Sequence, residues 1–66
     1  MQVYDFTKPE LEYFISNCNF LDDELEYFEL RARGLSNIQI ALEMHVSESK
    51  VSKLARKVKS KMMRVL

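Results

Sequence analysis

The stretch Gly34-Leu35-Ser36-Asn37-Ile38-Gln39-Ile40-Ala41-Leu42-Glu43-Met44-His45-Val46-Ser47-Glu48-Ser49-Lys50-Val51 decides the fold of this chain. It contains two helix starts built on one plan. Ser36 is placed to cap a helix, Gln39 three residues on completes a capping box, and Leu35 with Ile40 has the spacing of a hydrophobic staple. Eleven residues later Ser47 is the cap, Glu48 occupies the first turn near the positive helix end, and Val46 pairs with Val51. The first helix is short, about Asn37 to Met44. The second begins near Glu48 and continues to about Arg64, with Val51, Leu54, Ala55, Val58, Met62 and Val65 on one side and Lys50, Lys53, Lys57, Lys61 and Arg64 on the other. Two helices joined by about three residues must cross steeply, which is the geometry of a helix-turn-helix. Ala41 is small where the second helix approaches the first, and Ile40, Met44, Val46, Val51 and Leu54 occupy the positions expected to face the core.

Working outward, the single glycine and single proline both fall at helix ends, which favours an all-helical chain. Thr7 and Glu10 form a capping box, Phe6 and Leu11 a staple, and Pro9 lies in the first turn, so helix 1 is expected from about Lys8 to Asn17. Its apolar stripe is Leu11, Phe14, Ile15 and Cys18. After Asn19-Phe20-Leu21, Asp22 is the expected N-cap of helix 2, which runs to about Arg33 with Leu25, Phe28 and Ala32 on one face and Tyr27 and Leu30 widening it. Gly34 follows as the residue just past its end. The expected fold is all-α: one four-helix domain, residues 1–66, with a long basic C-terminal recognition helix.

Composition limits what such a domain does. At 66 residues and 47% hydrophobic content the chain is too short for two domains and too apolar for disorder. A core of this size buries only about 60% of the surface the unfolded chain exposes, which argues against a deep substrate cavity. One cysteine, Cys18, and one histidine, His45, supply neither an internal disulfide nor a zinc-ligand set, and they lie in different segments, so no nucleophile and base pair emerges. The reading is therefore non-enzymatic, with no cofactor. No apolar run approaches the length of a membrane span, and Met1-Gln2-Val3-Tyr4-Asp5 lacks the pattern of a signal peptide. The expected address is the cytoplasm, at the nucleoid.

The zero net charge conceals a strong asymmetry. Residues 1–33 hold three cations against eight acids, and residues 34–66 hold seven cations against two acids, so the halves carry −5 and +5. From Lys50 onward there is no acid at all. A polyanion therefore meets a basic surface on a chain of neutral overall charge.

Gly34-Leu35-Ser36-Asn37, Ile40-Ala41, Val46-Ser47-Glu48-Ser49-Lys50-Val51 and Leu54 closely resemble the signature of LuxR/GerE-type DNA-binding domains over about residues 20–62. The region-four helix-turn-helix of sigma factors is similar as well. Two departures stand out. The turn has His45 where the family commonly has glycine, and the family's additional helix after the recognition helix has no counterpart before Leu66, while helix 1 precedes instead. The segment before helix 2 is also about one residue short, and the family's dimer interface is not carried over.

The resemblance implies base contacts from Ser49, Ser52, Lys53 and Arg56, whose i, i+3, i+4, i+7 spacing also places them on one face opposite Val51, Leu54 and Val58. Arg56 or Lys53 has the donors for guanine O6 and N7. Phosphate contacts are expected from Ser36, Asn37, Ser47, Lys50, Lys57 and Lys61, the two serines acting first as caps. His45 reads as a turn residue, Glu48 as a helix-start acid, Met44, Met62 and Met63 as packing residues, and Tyr4, Tyr13 and Tyr27 as packing the first two helices. The function these residues predict is sequence-specific binding of double-stranded DNA by a transcriptional regulator, with five to seven cations per subunit displacing counterions. One unit touches few base pairs, so a homodimer is expected, with Met62, Met63, Val65, Leu66 and the N-terminal aromatics as candidate pairing surfaces. The alternative is an interaction module that binds RNA polymerase or another regulator through its acidic half, with Glu24, Glu26 and Glu29 as the working residues. Membrane attachment by the last helix is disfavoured because its apolar stripe is needed for the core.

Overall fold

The computed structural model describes residues 5–66, and Tyr4 lies outside them. Four helices follow one another: α1 (Lys8–Asn17), α2 (Asp22–Ala32), α3 (Asn37–Met44) and α4 (Glu48–Arg64). Among the described residues there is no strand. The fold is all-α, and its helix ends are fixed by local hydrogen bonds. Glu10 accepts from the Thr7 N–H at 2.8 Å while Thr7 Oγ1 receives the Glu10 N–H, and Gln39 accepts from the Ser36 N–H at 2.8 Å while Ser36 Oγ receives the Gln39 N–H at 3.2 Å. These reciprocal pairs satisfy amides that a helix start otherwise leaves without partners.

Helix α2 departs from the expected start. Its N-cap is Leu21, not Asp22, because Glu24 reaches back to accept the Leu21 N–H at 2.9 Å. At its other end Gly34 takes φ +93°, donating to Arg31 O at 3.0 Å while Leu35 donates to Leu30 O at 3.3 Å. That paired closure is a Schellman motif, and it stops the helix at Ala32, one residue short of Arg33.

The core lies where α2, α3 and α4 meet. Phe28, Ile40, Val51, Leu54, Val58 and Met62 are fully enclosed, and Phe14, Cys18, Tyr27, Leu30 and Ala41 complete the buried set. Aromatic rings attach α1 to this centre: Phe6 stacks on Phe14 at 5.4 Å, Phe14 meets Phe28 edge-on at 6.4 Å, and Phe20 from the α1–α2 connection lies 5.1 Å from Phe28. The Tyr13 hydroxyl donates to Val65 O at 2.6 Å and ties α1 to the end of α4. Three expected packing residues are outside: Tyr13, expected to pack the first two helices, is 47% exposed and reaches Val65 instead, and Ile15 and Met63 join it. Ile15 is 41% exposed because α1 meets the core through Phe14 and Cys18, and Met63 is 59% exposed because it lies about 100° around α4 from the buried Met62.

Glu24, expected with Glu26 and Glu29 as a working residue of the acidic surface, is instead buried, 1% exposed. Its carboxylate receives the Lys61 ammonium, which also donates to Asn19 O at 2.7 Å. Burial pushes the Glu24 carboxyl up, but the hydrogen bonds from Lys61 and the Leu21 amide, with the Lys61 charge, outweigh it and hold the group below the usual carboxylate range. Cys18 is a core residue whose thiol is pushed up by burial, with the Lys61 charge opposing.

A folded-state pKa below the unfolded one means that the Glu24 contribution is present above the ordinary carboxylate range and is lost as pH falls through the folded value. Acid unfolding followed by helical circular dichroism should therefore show a limb that Glu24→Gln flattens. At neutral pH the same substitution should cost about 1–3 kcal/mol, below the 3–5 typical of a fully buried pair because the Lys61 side chain retains partial access to water.

Candidate nucleic-acid interface

Three residues, 45–47, separate α3 from α4. His45 adopts φ 58° and ψ 44°, the only positive φ among the described non-glycine residues. Around it His45 donates to Leu42 O at 3.3 Å and Val46 to Ala41 O at 3.0 Å, repeating the closure seen at Gly34. A left-handed residue at this point reverses the chain quickly enough for Ser47 to cap α4, its Oγ receiving the Lys50 N–H at 3.1 Å. Histidine tolerates this conformation at a modest cost in steric strain.

Side-chain placement on α4 follows from that start. Val51, Leu54, Val58 and Met62 turn inward, and the opposite side, with Ser49, Ser52, Lys53, Arg56 and Lys57, is exposed. Among the described residues Lys53, Arg56 and Lys57 make no ion pair or hydrogen bond. Lys50 lies 3.4 Å from Asp23, with both side chains nearly half exposed. Such a surface pair is worth at most about 1 kcal/mol and exchanges readily for another anion.

Lys61 is the expected phosphate ligand that the structure places elsewhere. Its ammonium is engaged by Glu24 and Asn19 on the α2 side of α4, away from the serine-bearing face. Ser36 and Ser47 are exposed and serve as caps, and Asn37, exposed at the start of α3, accepts from the Tyr27 hydroxyl at 3.2 Å. Burial of the Tyr27 phenol raises its pKa, opposed by the nearby Arg31 charge, so it remains a donor at neutral pH.

Sequence reasoning passed over Lys59. It lines a shallow cleft of about 250 Å³ with Tyr27, Arg31 and Asn37, between the end of α2, the start of α3 and the middle of α4. Arg31 donates to Leu35 O at 2.7 Å across the α2–α3 connection. The signal available in the sequence was that Lys59 is eight residues from Val51 and four from Ala55, on the border of the apolar stripe.

Among the described residues no group of three or more His, Cys, Asp or Glu is placed to hold a metal ion, and no helix is long and apolar enough to cross a membrane. No known protein family, curated protein or solved structure matches the chain.

The strained turn yields a direct test. His45→Val should lower stability by about 1–2 kcal/mol in urea unfolding, because a β-branched side chain is poorly accommodated at positive φ, whereas His45→Gly should not lower it. Ser47→Ala should cost about 1 kcal/mol through the lost cap.

Proposed function

We propose that the chain is a sequence-specific DNA-binding transcriptional regulator in which α3, residues 45–47 and α4 form a helix-turn-helix of the LuxR/GerE kind, with α4 as the recognition helix in the major groove. The observation that carries this reading is the two-sidedness of α4. One side is sealed in the core, and the other presents Ser49, Ser52, Lys53 and Arg56 to solvent with their polar groups uncommitted. A rod of this kind enters a groove without unfolding anything.

The roles divide by chemistry. Arg56 and Lys53 donate to the acceptor edge of guanine, and Ser49 and Ser52 reach base edges or phosphate. Lys57, together with Lys50 once released from Asp23, meets phosphates, as do the amides that open α3 and α4 beside Ser36, Asn37 and Ser47. Lys61 is not part of this set, because withdrawing it would leave the buried Glu24 without its cation. Two copies on a palindromic site supply the specificity that one short helix lacks.

Selection of bound sites from a random duplex pool should return a defined consensus. Arg56→Ala and Lys53→Ala should each relax preference at particular base pairs at a cost of about 1–3 kcal/mol, whereas Lys57→Ala should weaken all sequences alike. Affinity should fall with salt at a log–log slope near −4 per subunit, the value for about four phosphate contacts. Absence of duplex binding at low salt, or uniform weakening by all three substitutions, would contradict base readout by α4.

A further inference from the structure

The acidic half has its own organised surface on the far side of the molecule. On α2, Glu24, Tyr27 and Phe28 turn inward, and Asp22, Glu26 and Glu29, at i, i+4 and i+7, form an exposed stripe on the opposite side. Among the described residues these three carboxylates have no ion-pair or hydrogen-bond partner. Beside the stripe lies an apolar groove of about 240 Å³ between α1 and α2, floored by Leu11, Ile15, Phe28 and Ala32, with Glu29 on its edge and Arg33 at one end. Ile15 is the large aliphatic residue that the core leaves uncovered there, 41% exposed.

We infer that this groove is a docking surface for a basic amphipathic helix of a partner protein, whose aliphatic side chains cover Ile15 and Leu11 while its lysines or arginines meet Glu29, Glu26 and Asp22. Charge decides the class of occupant. The stripe repels duplex DNA and anionic lipid and attracts a cationic partner. Arg33 sets the direction, because the cationic residues of the occupant must lie toward Asp22 and away from the Arg33 end.

A second copy of the chain also carries a basic helix, but geometry disfavours it. Asp22, Glu26 and Glu29 lie on the exposed side of α2, and the uncommitted cations Lys53, Arg56 and Lys57 lie on the exposed side of α4, whereas Lys50 and Lys61 are already engaged by Asp23 and Glu24 of the same chain. Joining the two exposed sides copy to copy is a heterologous head-to-tail contact, which makes a ring or an open chain of copies and not a two-fold pair. The inference goes beyond the duplex reading and stands without it. With α4 on DNA, the acidic stripe points outward and is available to a neighbouring protein.

The test uses the intact ¹⁵N-labelled chain, without DNA, titrated with a synthetic helical peptide bearing leucines on one face and lysines on the other, at low salt. Amide shifts should concentrate at Leu11, Ile15, Glu29 and Ala32 and saturate within roughly 1 mM peptide. Glu26→Lys combined with Glu29→Lys, and separately Ile15→Ser, should each weaken binding about tenfold or more. All three positions are exposed, and retained helical circular dichroism confirms that the variants fold. Lys53→Ala should leave the titration unchanged, which separates this surface from the proposed duplex face. The inference is overturned by shifts confined to α4, by no shifts in this range, or by equal binding of a peptide with glutamates replacing the lysines. Concentration-dependent growth in sedimentation, reversed by salt, would overturn it in favour of self-assembly.

Discussion

Burial of the apolar side of α4 is the constraint on which the remaining structure depends. Val51, Leu54, Val58 and Met62 are enclosed among Phe28 of α2 and Ile40 and Ala41 of α3. A rotation of α4 about its axis would expose these four side chains, each worth about 1.5–3 kcal/mol of burial, in a domain whose total stability is only several kcal/mol. The helix is therefore held in one rotational setting. That setting turns Ser49, Ser52, Lys53 and Arg56 outward, so the proposed readout surface is the geometric complement of the core.

The Glu24 and Lys61 contact has a different role. Hydrophobic contact is tolerant of small shifts, whereas a buried carboxylate accepts an ammonium only in a narrow range of positions. Here the same carboxylate also holds the Leu21 amide, and the same ammonium holds Asn19 O. The start of α2, the connection before it and the last turn of α4 are thereby joined at one point. A buried ion pair adds little net stability over an apolar substitute, and its best-attested value is in specifying arrangement. In this chain it links the acidic and basic halves and fixes where α2 crosses α4.

The consequence is a molecule with two oppositely charged outer faces. Much of the sequence separation of −5 and +5 becomes a separation in space, because Asp22, Glu26 and Glu29 of α2 and Lys53, Arg56 and Lys57 of α4 lie on exposed sides, while Glu24 with Lys61 and Asp23 with Lys50 pair across the two helices. An extended or differently folded chain of the same composition would have mixed the two signs. Neutral total charge thus coexists with one face suited to a polyanion and another suited to a cationic partner.

Sequence alone determined the features that are governed within a few residues. The capping boxes at Thr7 and Ser36, the cap at Ser47, the positive-φ positions at Gly34 and His45 and the apolar spacing of α4 are all local, and each is legible because its interacting groups lie three to six residues apart. What only the tertiary structure decided involves long separations. Glu24 and Lys61 are 37 residues apart, and nothing near either indicates that one would be buried and the other drawn onto it, away from the proposed duplex face. Ile15 lies within the apolar spacing of α1 as legitimately as Phe14, but which of them is covered depends on where α2 passes. The cap of α2 at Leu21 is by contrast a local feature, since Glu24 accepts that amide from three residues on. Local hydrogen-bond and periodicity rules fix helices, whereas the fate of a charge or a border residue depends on which distant surface arrives against it.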